Sequence, residues 1–279
     1  MAGHEIDYLV VGHITHDVGS GPTRLGGTAL YAAQTALRLA RRVGIVTSVT
    51  ERMREALLVA LPGVQLHSSP TTRPTTFENR YQGDRRAQRV LWRADGLMAE
   101  AVPDAWRRAP LVHLAPVAQE VSPSLLDVFE GRFLGLTPQG WLRSWDEAGI
   151  VRPSALPFDP SSLARATALV FSDEDVGEEG LAQPLLGWAR YTVQTRASAS
   201  ALLHTADGTR AIPACATRVV NPTGAGDVFA TAFFIRLSEG AAPEEAVRFA
   251  HAAAALAISR AGEDRIPVRD EIEAALATA

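Results

Sequence analysis

Short, strand-length runs rich in apolar residues set the strongest limit on what this chain can fold into. The run DYLVVG from Asp7 to Gly12 ends in glycine and has the form of a buried parallel strand that delivers a loop at its C-terminal end. Similar runs recur as VGIVTSV (Val43 to Val49), LVHLAP (Leu111 to Pro116), FLGLTP (Phe133 to Pro138), ALVFS (Ala168 to Ser172), YTVQT (Tyr191 to Thr195) and ALLHT (Ala201 to Thr205). Helix-compatible stretches separate them, so the pattern is α/β alternation. The first unit is explicit: Gly26-Gly27 precedes a helix-spaced apolar stretch from Thr28 to Arg41, which leads into the Val43 strand.

Between Pro70 and Trp92 the text becomes rich in Thr, Arg and aromatics, with Gly83-Asp84 between two alternating runs, which predicts a polar β-hairpin. The C-terminal third predicts helices over Asp227 to Leu237 and Pro243 to Arg260, the second with Pro in its first turn and Gly262 as its stop. No repeat or linker divides the chain, so the expectation is one α/β domain over residues 1–279 with a small β appendage. A composition of 47% hydrophobic and 21% charged residues supports a large core and excludes intrinsic disorder.

Charge narrows the function classes. A formal net charge of -4 gives no reason to expect a nucleic-acid partner, and the cationic side chains are all Arg, with no Lys in the sequence. That absence excludes a P-loop lysine, a Lys Schiff base and a protein-kinase strand lysine. A single Cys, Cys215, forms no internal disulfide and fits a reducing compartment. No run approaches the roughly 18 apolar residues of a membrane span, and Met1 to Asp7 lack the basic region of a signal peptide. The expectation is a cytoplasmic protein with no membrane partner.

The chemistry is concentrated in VVNPTGAGD, Val219 to Asp227, followed by the apolar VFATAFFI. Two glycines around a small alanine let backbone N–H groups approach an anion, and the helix beginning there adds its dipole, so the turn suits a phosphoryl group. Asp227 at the mouth can accept the proton of an attacking alcohol, or simply cap the helix. At the other end, Asp17 lies five residues past Gly12, with Thr15 beside it and the Gly26-Gly27 backbone following. A carboxylate there suits a vicinal diol, since it accepts two hydroxyl hydrogen bonds at once.

The Val219–Asp227 passage resembles the signature of PfkB-type, ribokinase-like carbohydrate kinases. Gly26-Gly27 before an Ala-rich helix, Asp17 after the first strand and GEDRIPVRDEIEAAL near the C-terminus match further family motifs in order. The resemblance implies an α/β, ribokinase-like fold, a mostly parallel central sheet flanked by helices, with a small β lid drawn from about residues 13–26 and 70–92. It implies ATP and Mg²⁺, a sugar or polyol acceptor and a nucleotide donor, with a homodimer as one assembly open to such a chain. Residue by residue, it makes Asp227 the catalytic base and Gly224, Ala225 and Gly226 the anion hole. Asp17, Thr15, Gly26, Gly27 and Tyr31 become the acceptor site, and Thr195, Arg196 and His251 the nucleotide site. Glu174 and Asp175 become the Mg²⁺ ligands.

The chain departs from the family at several of these places. Ser172-Asp173-Glu174-Asp175 replaces an Asn-x-x-Glu element, and Thr195 to Ser200 replaces both glycines of a Thr-x-Gly-x-x-Gly turn. Asn221 replaces an Asp that helps hold a monovalent cation in cation-activated members, and Tyr31 replaces an Asn in the helix after Gly-Gly. The TPQGWLR stretch, with His13, His16 and Ser172, is similar to inositol-kinase-like members, although Thr137 stands where these have Asp. The His13 and His16 pair reads as a polar wall of the acceptor pocket, or less readily as a metal pair. Arg80, Arg85, Arg86 and Arg89 read as a charged strand edge, or as a phosphate clamp. Two alternatives stand: a nucleoside kinase with Tyr31 or Phe77 as the base platform, and a non-catalytic binder.

Overall fold

The computed structural model describes residues 6–19, 23–82, 85–129, 131–177, 180–262 and 265–278, with backbone alone at 81, 82, 85 and 86. The Gly83-Asp84 turn, residues 20–22 of the lid candidate, the side chains of Arg85 and Arg86, the start of the chain up to Glu5, and Glu263-Asp264 lie outside them. Strands β1 (Tyr8–Val11), β4 (Val43–Val49), β5 (Gln65–Pro70), β8 (Leu111–Leu114), β9 (Phe133–Leu136), β12 (Ala168–Ser172), β13 (Tyr191–Thr195), β14 (Ala201–Thr205) and β15 (Gly208–Ile212) form one sheet in the order β15-β14-β13-β12-β9-β8-β1-β4-β5. Pairing is parallel from β5 to β13, and β14 and β15 close that edge antiparallel. A second sheet, in the order β3-β2-β6-β7, joins β2 (Thr15–Val18) and β3 (Arg24–Gly26) to the hairpin of β6 (Thr76–Gln82) and β7 (Arg85–Trp92). A third pair, β10 (Arg143–Trp145) and β11 (Val151–Pro153), lies beside β7 through an Arg89–Ile150 bridge.

The apolar runs behave as a parallel sheet requires: β1, β4 and β8 are buried along their whole length. Helices α1 (Thr28–Arg38), α2 (Glu51–Ala60), α5 (Ala225–Ser238), α6 (Pro243–Ile258) and α7 (Arg269–Ala277) share one core with one face of the sheet. The opposite face is covered differently from the regular α/β alternation expected. Among the described residues, the helices there are the four-residue α3 (Leu125–Val128) and α4 (Asp173–Val176), and with short 3₁₀ turns they pack over Leu9, Val11, Leu114 and Leu136. Prolines at 103, 110, 123, 138, 157, 160 and 184 punctuate these stretches, and those at 138, 160 and 184 sit in the first turn of short 3₁₀ helices, where a missing amide donor is tolerated.

A line of buried polar groups ties this framework to α5. The hydroxyl of Tyr8 lies 2.7 Å from His113 Nδ1 and donates to Thr231 Oγ1 at 3.3 Å, while His113 Nε2 lies 2.8 Å from Thr137 Oγ1. Burial holds the His113 imidazole neutral, with its pKa pulled down to about 3. A folded pKa below the ordinary 6.5 makes the neutral ring a source of stability above pH 6.5 that is lost as the pH falls toward 3. Denaturant unfolding of the protein and of His113→Gln between pH 6.5 and 3 should therefore diverge, the native protein losing about 1.4 kcal/mol more per pH unit. Parallel pH profiles would contradict this assignment.

Candidate active site

The C-terminal ends of the parallel strands gather the loops that carry the polar residues, as open α/β sheets generally do. After β1, the chain turns through Gly12 and His13 into β2. Thr15 Oγ1 donates to Asp17 Oδ1 at 2.9 Å. Gly26 faces them across the β2–β3 pair: a Cβ there would stand 2.5 Å from Asp17 Oδ2. Gly27, with φ +90, is the N-cap of α1 and passes so close to His13 that a Cβ would lie 2.6 Å from its carbonyl oxygen. Both glycines are needed for the backbone to close on Thr15 and Asp17. The Asp17, Thr15, Gly26 and Gly27 cluster expected from the sequence is therefore assembled.

Tyr31, one turn into α1, links this cluster to the second motif. Gly224 caps α5 in the left-handed region, φ +76, and a Cβ on it would meet the Tyr31 ring at 2.8 Å. Burial pushes the Tyr31 phenol up; the Asp227 and Asp17 carboxylates act in the same direction, and Arg265 opposes them. Both acids thus act on one half-buried ring. Within the turn, Ala225 N–H donates to Pro222 O at 3.2 Å, and the first intrahelical bond runs from Val228 to Gly224. Of the three proposed anion-hole residues, Ala225 therefore has its amide engaged within the turn. Gly226 is exposed with open space around it, in the first helical turn where amides have no intrahelical acceptor. Asp227 is half-buried at the third helical position.

The acidic stretch forms α4. Asp175 Oδ2 accepts from the Ser172 N–H and hydroxyl, both at 2.9 Å, closing a capping box, and Oδ1 accepts from Gln139 at 2.9 Å. Asp173 accepts from Gln194 at 2.6 Å, and Glu174 is exposed. Among the described residues no group of three His, Cys, Asp or Glu side chains builds a metal cage. The hard carboxylate oxygens of α4 do fit Mg²⁺ held through water beside phosphates. Thr195 is paired with Ser172 at the ends of β13 and β12, so the acidic stretch and the 195–200 turn are neighbours. Ala197 adopts φ +48 where the family turn has glycine, and Arg196 Nε closes the turn on Ser200 O at 2.8 Å. His251 is buried in α6, edge-on to Phe229, with Nε2 lacking a hydrogen-bond partner.

Several expectations change. His13 does not wall a pocket: it is fully buried, with its ring nitrogens 2.7 Å from Thr75 Oγ1 and 3.0 Å from Asp95 O. Phe77 is 2% exposed, packed on Val117 and Ala118 beneath the Arg143 guanidinium, which closes it as a base platform. Arg80 and Arg89 engage Glu78, and Arg89 also donates to Ala148 O, so they brace the small sheet. Two supporting residues were not singled out in the sequence, although Arg265 lies within the GEDRIPVRDEIEAAL stretch. Glu120, 1% exposed, accepts from the backbone amides of His13, Val117 and Ala118 and clamps the loops after β1 and β8. Arg265 is also buried, beside Tyr31.

Comparison with known proteins agrees with this layout. The pfkB family carbohydrate kinase profile matches residues 172–269. A cytidine kinase of Thermococcus kodakarensis is 27% identical over 265 residues, 87% of this chain and 92% of that protein. A pyrophosphate-dependent kinase of the ribokinase family, solved with a pyrophosphate analog and myo-inositol, superposes with a TM-score of 0.79 at 20% identity, over 96% of this chain and 99% of that one. Arabidopsis thaliana ribokinase, solved with ribose and ATP, gives a TM-score of 0.76 at 19% identity, over 98% and 99%. At such identities the structures establish the fold. No described helix is long and apolar enough to cross a membrane. The chain thus has the fold of the ribokinase-family kinases, and its residues 172–269 match the pfkB family carbohydrate kinase profile.

Proposed function

We propose that the chain transfers the terminal phosphoryl group of ATP to a hydroxyl of a small sugar or cyclitol. The observation that carries this reading is the packing of the glycine turn ahead of Asp227 against Tyr31 of α1, the helix that starts at the Gly26-Gly27 pair beside the Thr15-braced Asp17. Asp17, with Thr15 and the Gly26-Gly27 backbone, binds the acceptor hydroxyls. Asp227 takes the proton of the attacking hydroxyl as its oxygen bonds to phosphorus and the bond to the leaving phosphate breaks. The Gly224 and Gly226 amides and the α5 dipole stabilise charge on the transferring group, while the Ala225 amide holds the turn closed on Pro222. Mg²⁺, when bound, would neutralise the donor phosphates; Glu174 would hold it through water, and Asp175 would hold the α4 turn in place. Thr195, Arg196 and His251 would line the nucleotide side. The whole chain acts as one unit, with β2, β3, β6 and β7 as the lid.

A nucleoside acceptor is the second reading, favoured by the cytidine kinase relative, and its base would stack on Tyr31. Donor consumption, with ATP and pyrophosphate offered separately against inositols, pentoses, hexoses, sugar phosphates and nucleosides, tests both. Turnover with ATP and a cyclitol or sugar is expected; turnover with nucleosides alone would select the second reading, and none would reject catalysis.

Asp227→Asn keeps size and capping ability but removes the base, so kcat should fall by roughly 10²-fold or more with the melting temperature nearly unchanged. Near-native turnover would remove Asp227 from the chemistry. Asp17→Ala should weaken acceptor binding by about 1.5–3 kcal/mol, the scale of a hydrogen bond to a charged group, and spare the donor, as calorimetry with each ligand would register. Glu174→Gln should raise the Mg²⁺ concentration for half-maximal rate several-fold. Asp175→Asn should instead cost about 1 kcal/mol of stability, the size of a lost helix cap. An unchanged Mg²⁺ titration for Glu174→Gln would reject the first part.

A further inference from the structure

Arg265 is 6% exposed, and its guanidinium is directed at backbone carbonyls. Nη2 donates to Thr223 O at 2.5 Å and Nη1 to Ala257 O at 3.4 Å, and Cζ stands 5.4 Å from the centre of the Tyr31 ring. Ala257 belongs to the last turn of α6, where terminal carbonyls have no intrahelical amide to accept from and the helix dipole is negative. The neighbouring carbonyls are satisfied locally: Ile258 O accepts from Val220 and Asn221 N–H, Leu256 O from the Ser259 hydroxyl, and Ala255 O from Ser259 N–H. Thr223 immediately precedes Gly224, so the other carbonyl belongs to the anion-hole turn itself. A helix C-terminus, an inward carbonyl and the face of an aromatic ring together define a cation site.

We infer that Arg265 is a tethered cation that occupies the place of a free monovalent ion and positions the Thr223–Gly226 turn for phosphoryl transfer. Asn221 is consistent with this. The acid that helps hold a monovalent cation in cation-activated relatives is absent, and Asn221 Oδ1 instead accepts from Thr223 N–H at 3.1 Å, closing the turn without adding charge. A planar fork also fixes direction, because it bonds two carbonyls and lies against Tyr31 at once, whereas a spherical ion fixes only distance. Arg265 thereby couples the end of α6, the glycine turn and the Tyr31 ring that both site carboxylates act upon. The part of the inference concerning phosphoryl transfer rests on the kinase reading; occupation of the cation site does not.

The test has two readouts. Melting temperature and kcat of the native protein are measured with K⁺, Na⁺ or tetramethylammonium as the sole monovalent cation, and both should be unchanged across the series. Arg265→Ala should lose about tenfold or more in kcat, the scale of one charge-assisted hydrogen bond. It should also acquire what the native protein lacks: K⁺ or low concentrations of free guanidinium should raise its melting temperature and kcat, and tetramethylammonium should not. Arg265→Lys, which keeps the charge without the fork, covers the case in which the alanine variant does not fold, and it should remain indifferent to K⁺. Activation of the native protein by K⁺ would overturn the inference, as would an Arg265→Ala protein that ignores both K⁺ and guanidinium. Because melting temperature needs no acceptor, a failed kinase reading would leave the cation-site result standing.

Discussion

The contact between Gly224 and the Tyr31 ring is the constraint on which the site depends. It docks the start of α5 onto the first turn of α1, and a side chain at Gly224 would have to enter the space the ring occupies. Since α1 begins at the Gly26-Gly27 pair and α5 at the Gly-Ala-Gly turn, this one approach brings together motifs separated by most of the chain. The positive φ at Gly224 turns the chain into α5 at the point where close packing also requires the absence of a side chain. Conformation and packing therefore demand glycine at the same position.

Around that contact, charge and polar groups are organised in depth. Glu120 gathers three backbone amides below the β1 and β8 loops, and the Thr137, His113, Tyr8 and Thr231 series links the sheet to α5. Buried polar groups satisfied in this way favour one arrangement over others, because displacing any member leaves another unpaired in a medium of low dielectric. Thr231 lies four residues after Asp227 on α5, so the hydroxyl bonded to Tyr8 and the candidate base project from the same side of the helix. The stability of the core and the orientation of the site are thus connected through one helix.

The buried parallel strands β4 and β12 were legible to the residue, because such a strand is a continuous apolar run with no competing periodicity, and the bounds of the partly buried β13 and β14 coincide with the sequence runs as well. The α1, α5 and α6 helices were legible too, each ending within a few residues of its expected bounds. Helix α2 and strands β2, β3, β5, β10, β11 and β15 were not. Helix α2 buries only Met53 and Leu57, and β15 is exposed along most of its length, so neither carries a strong apolar pattern. The roles of His13 and Phe77 were misread because a polar ring or an aromatic near a motif has the same local appearance whether it faces a ligand or is closed over by neighbours.

What the sequence determined by itself is the set of local requirements: apolar runs of strand length, glycines where the backbone must turn or approach closely, a carboxylate after each of two such turns, and the absence of lysine. These are properties of short stretches, and their physics is complete within a few residues. Which partners those residues meet was decided only by the tertiary structure. Nothing near Arg265 in the sequence tells that its guanidinium would reach the carbonyls of Thr223 and Ala257 and the Tyr31 ring, or that Asp175 would be engaged in capping α4 while Glu174 faces solvent. Such pairings depend on where whole elements come to rest, and that is set by the packing of helices on a twisted sheet, a property no short segment contains.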